Sequence, residues 1–263
     1  MDFFKTLEED VNNLIQEKPQ AEESKNEITE ETSIKPNKKF IDLSIEELND
    51  LSKNVLDILV DALQDTHGTI REMAASALGE LGDLRALEHL TNAIKDPNAE
   101  VRRNSAGALG KLKSLESISC LGEALDDENQ DVRYWTVEAL AQFQEPEAVK
   151  YMIDISLESD EFVSSIANDA IGKLTDPKVI PVLKEHINNS KVSLRTLITE
   201  VLGKIGTEEA VDPLVAALKD PATNVRRNAV ISLGKIHSSK AVEALTEALK
   251  DTDQYVRGNA AIA

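Results

Sequence analysis

The chain has 263 residues, of which 41% are hydrophobic, 29% charged and 3% aromatic, with a formal net charge of -19 and one cysteine, Cys120. That composition suffices for a large buried core, offers no apolar run long enough to cross a membrane, and excludes an internal disulfide framework. The negative charge repels nucleic acid and anionic lipid, so neither is an expected partner, and with neither a basic start nor an apolar leader at the N-terminus the expected setting is a reducing cytoplasm.

The first residues, 1–17, place Phe3, Phe4, Leu7, Val11, Leu14 and Ile15 at helical spacing with Glu8, Glu9 and Asp10 opposite, which predicts a short amphipathic docking helix. Its acidic polar face disfavours a membrane surface. Residues 18–39, KPQAEESKNEITEETSIKPNKK, carry almost no apolar side chains and two prolines, and read as a disordered acidic linker spanning roughly 25 Å. Ser44-Ile45-Glu46-Glu47 then forms a capping-box pattern opening a helix that closes the N-terminal end of a repeat array over 40–263.

The array is read from its internal repetition. Segments starting at Ile70, Val101, Val132, Val163, Leu194, Val225 and Val256 align without insertion at a period of 31. A period of this size marks a solenoid. Counting each starting residue as offset 0, apolar or small residues recur at offsets 0, 4, 7, 8 and 11, one stripe of a helix. Glycine follows at offset 9 in Gly79, Gly110, Gly172, Gly203 and Gly234, then polar turn residues, then a second periodic stretch such as AVDPLVAALKD. Each copy is therefore two helices, with no strands. The seventh copy stops at Ala263, and its uncapped face is expected to fray or to be completed by another chain.

Val101-Arg102 at the helix start, Ala-x-Ala-Leu-Gly-x-Leu within Ala74 to Leu81, and Ala-Val-x-x-Leu-x-x-Ala-Leu-x-Asp from Ala241 to Asp251 carry a resemblance. The pattern resembles the HEAT-like repeats of the phycobilin-lyase type and is similar to designed artificial alpha-helicoidal repeats of the same length. The resemblance implies an all-α, right-handed alpha-solenoid of stacked 31-residue helix-turn-helix units. It also offers bilin lyase, or a lyase-like chaperone subunit, as a second functional reading.

Arginine recurs at offset 1 as Arg71, Arg102, Arg133, Arg195, Arg226 and Arg257, with Ser164 in the fourth copy. An acid stands six residues before that position as Asp65, Asp96, Asp127, Glu158, Asp220 and Asp251, with Asn189 the exception. These residues predict a structural Arg–Asp ladder between turns and neighbouring helices, weakened in the middle of the array where Ser164 and Asn189 interrupt it.

Catalytic patterns are wanting. His67, His89, His186 and His237 share no repeat position, and the pairs Glu88-His89 and Glu185-His186 differ in offset, so stacked repeats supply no matched metal ligands and no metal or cofactor is expected. Cys120 is read on a first helix without a fixed histidine partner.

Five of the nine aromatic residues, Tyr134, Trp135, Phe143, Tyr151 and Phe162, crowd into the third copy. Phe143 replaces leucine at offset 11 and belongs to the core. Tyr134 and Trp135, at offsets 2 and 3, lie roughly 175° and 85° from the core centre. Offset 3 is apolar in Trp135, Ile166 and Leu197 and amide at Asn104 and Asn228, while offset 2 supplies Arg103 and Arg227 and offset 6 supplies Glu138, Asp169 and Glu200. In the designed repeats these positions line the concave face and vary with the partner. The expected function is a non-enzymatic protein-interaction scaffold whose concave face holds a peptide or helix with apolar anchors and some basic character. Sideways packing of Trp135, Ile166 and Leu197 against adjacent second helices, where the solenoid bends, is the competing expectation.

Overall fold

The computed structural model describes residues 45–157 and 160–263. The expected docking helix over 1–17 and linker over 18–39 lie outside them. Fourteen α-helices and no strand are found among the described residues, and together they form an all-α solenoid. The first, α1 (Ile45–Ala62), begins immediately after Ser44. Six helix pairs follow: α2 (Gly68–Leu81) and α3 (Leu87–Ala93), α4 (Ala99–Leu112) and α5 (Ile118–Ala124), and α6 (Gln130–Leu140) and α7 (Pro146–Ser156). The next are α8 (Glu161–Gly172) and α9 (Ile180–His186), α10 (Val192–Ile205) and α11 (Val211–Ala217), and α12 (Thr223–Ile236) and α13 (Val242–Ala248), before α14 (Gln254–Ile262).

Local sequence sets the ends of these helices. Asn98, Asn129, Asp160 and Asp253 cap α4, α6, α8 and α14, each side-chain oxygen accepting from backbone N–H groups of the first turn. At the other end Gly82 and Gly206 take the left-handed conformation that stops α2 and α10, and Lys113 and His237 adopt it at the same offset without glycine's freedom. The role of His237 is therefore visible in the backbone.

The core runs the length of the stack. Ala106, Leu109 and Leu112 of α4 share one buried cluster with Ile118, Leu121 and Leu125, and offsets 8 and 20 are buried in all six helix pairs. Offset 5 joins the apolar stripe anticipated from offsets 0, 4, 7, 8 and 11: Ala75, Ala106, Val137, Thr199 and Val230 are all buried. Leu56, Leu59 and Leu63 stand 31 residues before Leu87, Leu90 and Ile94 and are likewise buried, so α1 occupies the second-helix place of a preceding copy and covers that end of the core.

Each first helix packs on the first helix of the next copy, and each second helix packs mainly on that same following helix, whereas second helices barely meet one another. Close approach depends on offset 9. A methyl group on Gly79 would sit 2.7 Å from the Ala108 Cα, and one on Gly110 would sit 2.8 Å from the Ala139 Cα. Nothing larger than hydrogen fits there. In the third copy the position is Ala141, and a methyl on Gly172 would meet nothing nearer than the Leu197 Cδ1 at 3.6 Å. The first helices are packed less extensively across these central steps, from α6 to α8 and from α8 to α10, than in the outer copies.

The arginine ladder is present, and its rungs run to the next copy. Arg71 binds Asp96 through Nε and Nη2 at 2.7 and 2.8 Å while its Nη1 donates to the Asp65 carbonyl at 2.9 Å. Arg102 with Asp127, Arg195 with Asp220 and Arg226 with Asp251 repeat this two-pronged pairing at a separation of 25 residues. Asp96, Asp127, Asp220 and Asp251 thus each lend a carbonyl to the arginine six residues on and give their carboxylate to the arginine of the preceding copy. Arg133 reaches Asp160 by one nitrogen, at 2.5 Å. Ser164 and Asn189 are themselves 25 residues apart, so they are the two missing ends of a single rung. Lys191 partly replaces it, donating to the Ser156 and Leu157 carbonyls at 3.3 and 2.8 Å.

Candidate protein-binding surface

Tyr134 and Trp135 lie in the middle of α6, a helix started by the Asn129 cap and held to the core by Val132, Thr136, Val137 and Leu140. Their offsets leave them outside that buried stripe. The Trp135 side chain is 45% exposed, and its indole lies over Gly107 of α4, where an added methyl would come within 3.8 Å of the ring. Tyr134 leans the other way. Its ring meets the indole edge to face, with centroids 5.6 Å apart at 87°, and stacks on Phe162 of α8 at 6.0 Å and 27°. Such geometry is favourable between rings, yet Phe162 remains 51% exposed. Three aromatic side chains therefore form one patch from the edge of α4 across α6 to α8.

The predicted strip along offset 3 divides. Trp135 is exposed, whereas Ile166 and Leu197 are half-buried and pack against the core. Leu197 meets the first helix α8, where its Cδ1 would lie 3.6 Å from a methyl on Gly172. Both residues offer less exposed apolar surface than Trp135 does.

Several rim residues prove to be occupied. Asn104 donates to the Glu72 carbonyl and carboxylate at 3.4 and 3.3 Å, and Asn228 donates to the Thr196 carbonyl at 3.3 Å. The amides flanking the strip thus tether each first helix to the one before it. Arg103 pairs with Glu72 and Glu100 at 3.4 and 2.6 Å, and Glu200 pairs with Lys204 at 2.8 Å. Arg227 holds Asp253 through two nitrogens at 2.9 and 2.6 Å and lies 4.5 Å over the Tyr255 ring. Hydrogen bonding from Arg227 keeps the Asp253 carboxyl well below the usual carboxylate range. Among the described residues Glu138 and Asp169 form no ion pair.

Tyr255, Asp253 and Gly107 were not anticipated from single repeat rows. The signal that finds them joins two rows: Tyr134 to Phe162 and Arg227 to Tyr255 are both separations of 28 residues, offset 2 of one copy over offset -1 of the next. Gly107 is recognisable as the residue at offset 6 that makes room for an indole.

Cys120 is on α5, a second helix, which corrects its expected placement. Burial pushes its thiol pKa up, and Sγ donates to the Ser117 carbonyl at 3.1 Å, so it is a packed thiol. Among the described residues no group of three or more His, Cys, Asp or Glu side chains is placed to hold a metal ion, and no helix is long and apolar enough to cross a membrane.

The chain is 19% identical to the complex of CpcE and CpcF of phycocyanin lyase from Nostoc sp. PCC7120, covering 88% of this chain and 89% of that one with a TM-score of 0.43. It is 18% identical to an engineered protein, with 81% and 68% covered and a TM-score of 0.44. It is 20% identical to human deoxyhypusine hydroxylase in complex with glycerol, with 82% and 87% covered and a TM-score of 0.38. Among curated protein sequences none matches. HEAT repeats match over residues 35–108, 56–128, 87–170, 121–201 and 188–263, and on that coverage the chain belongs to the HEAT-repeat family.

Proposed function

We propose that this protein is a non-catalytic interaction scaffold that docks a peptide or helix on the face built by its first helices. One observation carries the reading: Tyr134, Trp135 and Phe162 set three large rings side by side outside the buried stripe, with Trp135 and Phe162 exposed. Partly exposed aromatic anchors, surrounded by charged side chains, have the make-up of a binding hot spot. First helices crowd one another along the stack more than second helices do, which supports reading the face that carries the patch as the concave one. A groove there gives an elongated partner contact with several copies at once.

Affinity capture with the full chain, followed by titration of the recovered partner against Trp135 emission, tests this. The expected result is a partner that shifts the emission and is lost by the folded Tyr134→Ala/Trp135→Ala variant. A partner held equally well by that variant would place binding elsewhere and overturn the proposal.

A further inference from the structure

Charge around the patch identifies the occupant more closely, and this step rests on the docking reading above. On the neighbouring surface the chain neutralises its own acids: Glu72 and Glu100 meet Arg103, Glu80 meets Lys111, Glu200 meets Lys204, and Asp253 meets Arg227. At the aromatic patch Asp160 is paired with Arg133, but Asp131, Glu138, Glu161 and Asp169 form no ion pair among the described residues. Asp131 and Glu161 stand in the first turns of α6 and α8, where an acid is favoured by the helix dipole and needs no further reason. Glu138 and Asp169 have no such explanation. Glu138 follows Tyr134 and Trp135 by four and three residues, hence on the same side of α6, and Asp169 follows Ile166 by three on α8. Lys173, one turn beyond Asp169, is not paired with it.

The chain also shows what its own register accepts over such a ring. Tyr255 stands at the same offset as Phe162, and the guanidinium of Arg227 lies 4.5 Å over it while its nitrogens bind a carboxylate. Copies three and four keep the exposed ring but put Tyr134 where copy six has the arginine, and Asp160, the counterpart of Asp253, is paired instead with Arg133 at 2.5 Å. Among the described residues no cation lies over the Phe162 ring as Arg227 lies over Tyr255. A guanidinium or ammonium over an aromatic face gains from the ring quadrupole, and more when a carboxylate is beside it.

We propose that the occupant of the Tyr134–Trp135–Phe162 patch is a basic amphipathic helix, one that sets arginine or lysine beside its apolar anchors so that they meet Glu138, Asp169 and the exposed aromatic faces. The net charge of -19 acts in the same direction, raising the encounter rate of a cationic partner over an acidic one.

The probe is a displayed library of helical peptides of about 18 residues with leucine fixed at i, i+3, i+4 and i+7 and flanking positions free among Arg, Lys, Glu, Asp, Gln and Ser. It is selected on the full chain and counter-selected on Tyr134→Ala/Trp135→Ala. The expected winners carry net positive flanks, bind at least about tenfold more weakly to Glu138→Gln/Asp169→Asn, and lose affinity between low and moderate salt on the unmodified chain. Melting curves matching the unmodified chain establish that the variants are folded. Winners that need Tyr134 and Trp135 but carry neutral or acidic flanks, or ignore both the charge variant and salt, overturn the basic-helix inference and leave the docking reading standing. A library that yields no peptide dependent on Tyr134 and Trp135 overturns both.

Discussion

The outer copies and the central ones solve the same stacking problem differently. Between the first and second copies, and again between the fifth and sixth, three devices recur: a glycine that lets backbones touch, a two-pronged Arg–Asp rung, and an asparagine that ties a first helix to the carbonyl before it. Across the third to fifth copies each is relaxed. Ala141 replaces the glycine, and Arg133 keeps one prong among the described residues, which do not include its expected partner Glu158. Ser164 and Asn189 delete a rung, and Trp135, Ile166 and Leu197 replace the asparagine. The difference teaches that a repeat array is not uniformly constrained: copies released from strict stacking are those where side chains are free to be chosen for something else.

The broadest break of the comparison is acid. The Arg71 hydrogen bonds hold Asp96 below the ordinary carboxylate range, and those of Arg226 do the same for Asp251. Burial works against this at Asp127 and Asp220, where the hydrogen bonds from Arg102 and Arg195 still leave the pKa lowered. Carboxylates depressed in the folded state contribute stability that is fully present above the ordinary value near about 4 and is lost as pH falls through the folded values. Denaturant unfolding should therefore change little from pH 7 to 5 and drop steeply below about 4, more than for any single substitution, because every rung titrates together. A fall that is already complete at pH 5 would argue that the rungs are not the cause.

Arg102→Ala comes next. It strips a side chain that is 11% exposed from a carboxylate that is 10% exposed and from two carbonyls, and should cost about 3 kcal/mol in denaturant melts. Gly110→Ala should cost about 2 kcal/mol, since its methyl meets backbone, whereas Gly172→Ala should be neutral or stabilise by up to about 1 kcal/mol through better helix propensity. Equal effects at the two glycines would remove the distinction between outer and central steps. The smallest change sharpens it: Ser164→Arg with Asn189→Asp should add about 1 kcal/mol as a pair and nothing as single variants, read from a double-mutant cycle.

Most of the fold was legible because a 31-residue period repeats its errors and its rules alike. The buried stripe, the turn glycines and the ladder each appear in several rows, so one sequence supplies its own comparison. What escaped depended on two rows at once. Offset 5 is buried only because neighbouring first helices press on it, the rungs join residues 25 apart rather than six, and the stacking of Tyr134 on Phe162 joins residues 28 apart. Asn104, Asn228, Arg103 and Arg227 looked free in the sequence, and their partners lie on adjacent copies. Ile166 and Leu197 belong to the same row as Trp135 but are half-buried where it is exposed, which periodicity alone does not convey.

The central claim is that the aromatic patch serves a partner and not the fold, and Trp135, the single tryptophan, reports on it directly. The account predicts that the free chain emits as a largely hydrated indole quenched by iodide, and that Trp135→Ala changes folding stability by about 1 kcal/mol or less while weakening a bound amphipathic helix by about 2 kcal/mol or more. An indole shielded from iodide, with about 3 kcal/mol or more of folding stability lost on its removal, would make it a core residue and contradict the assignment of this surface.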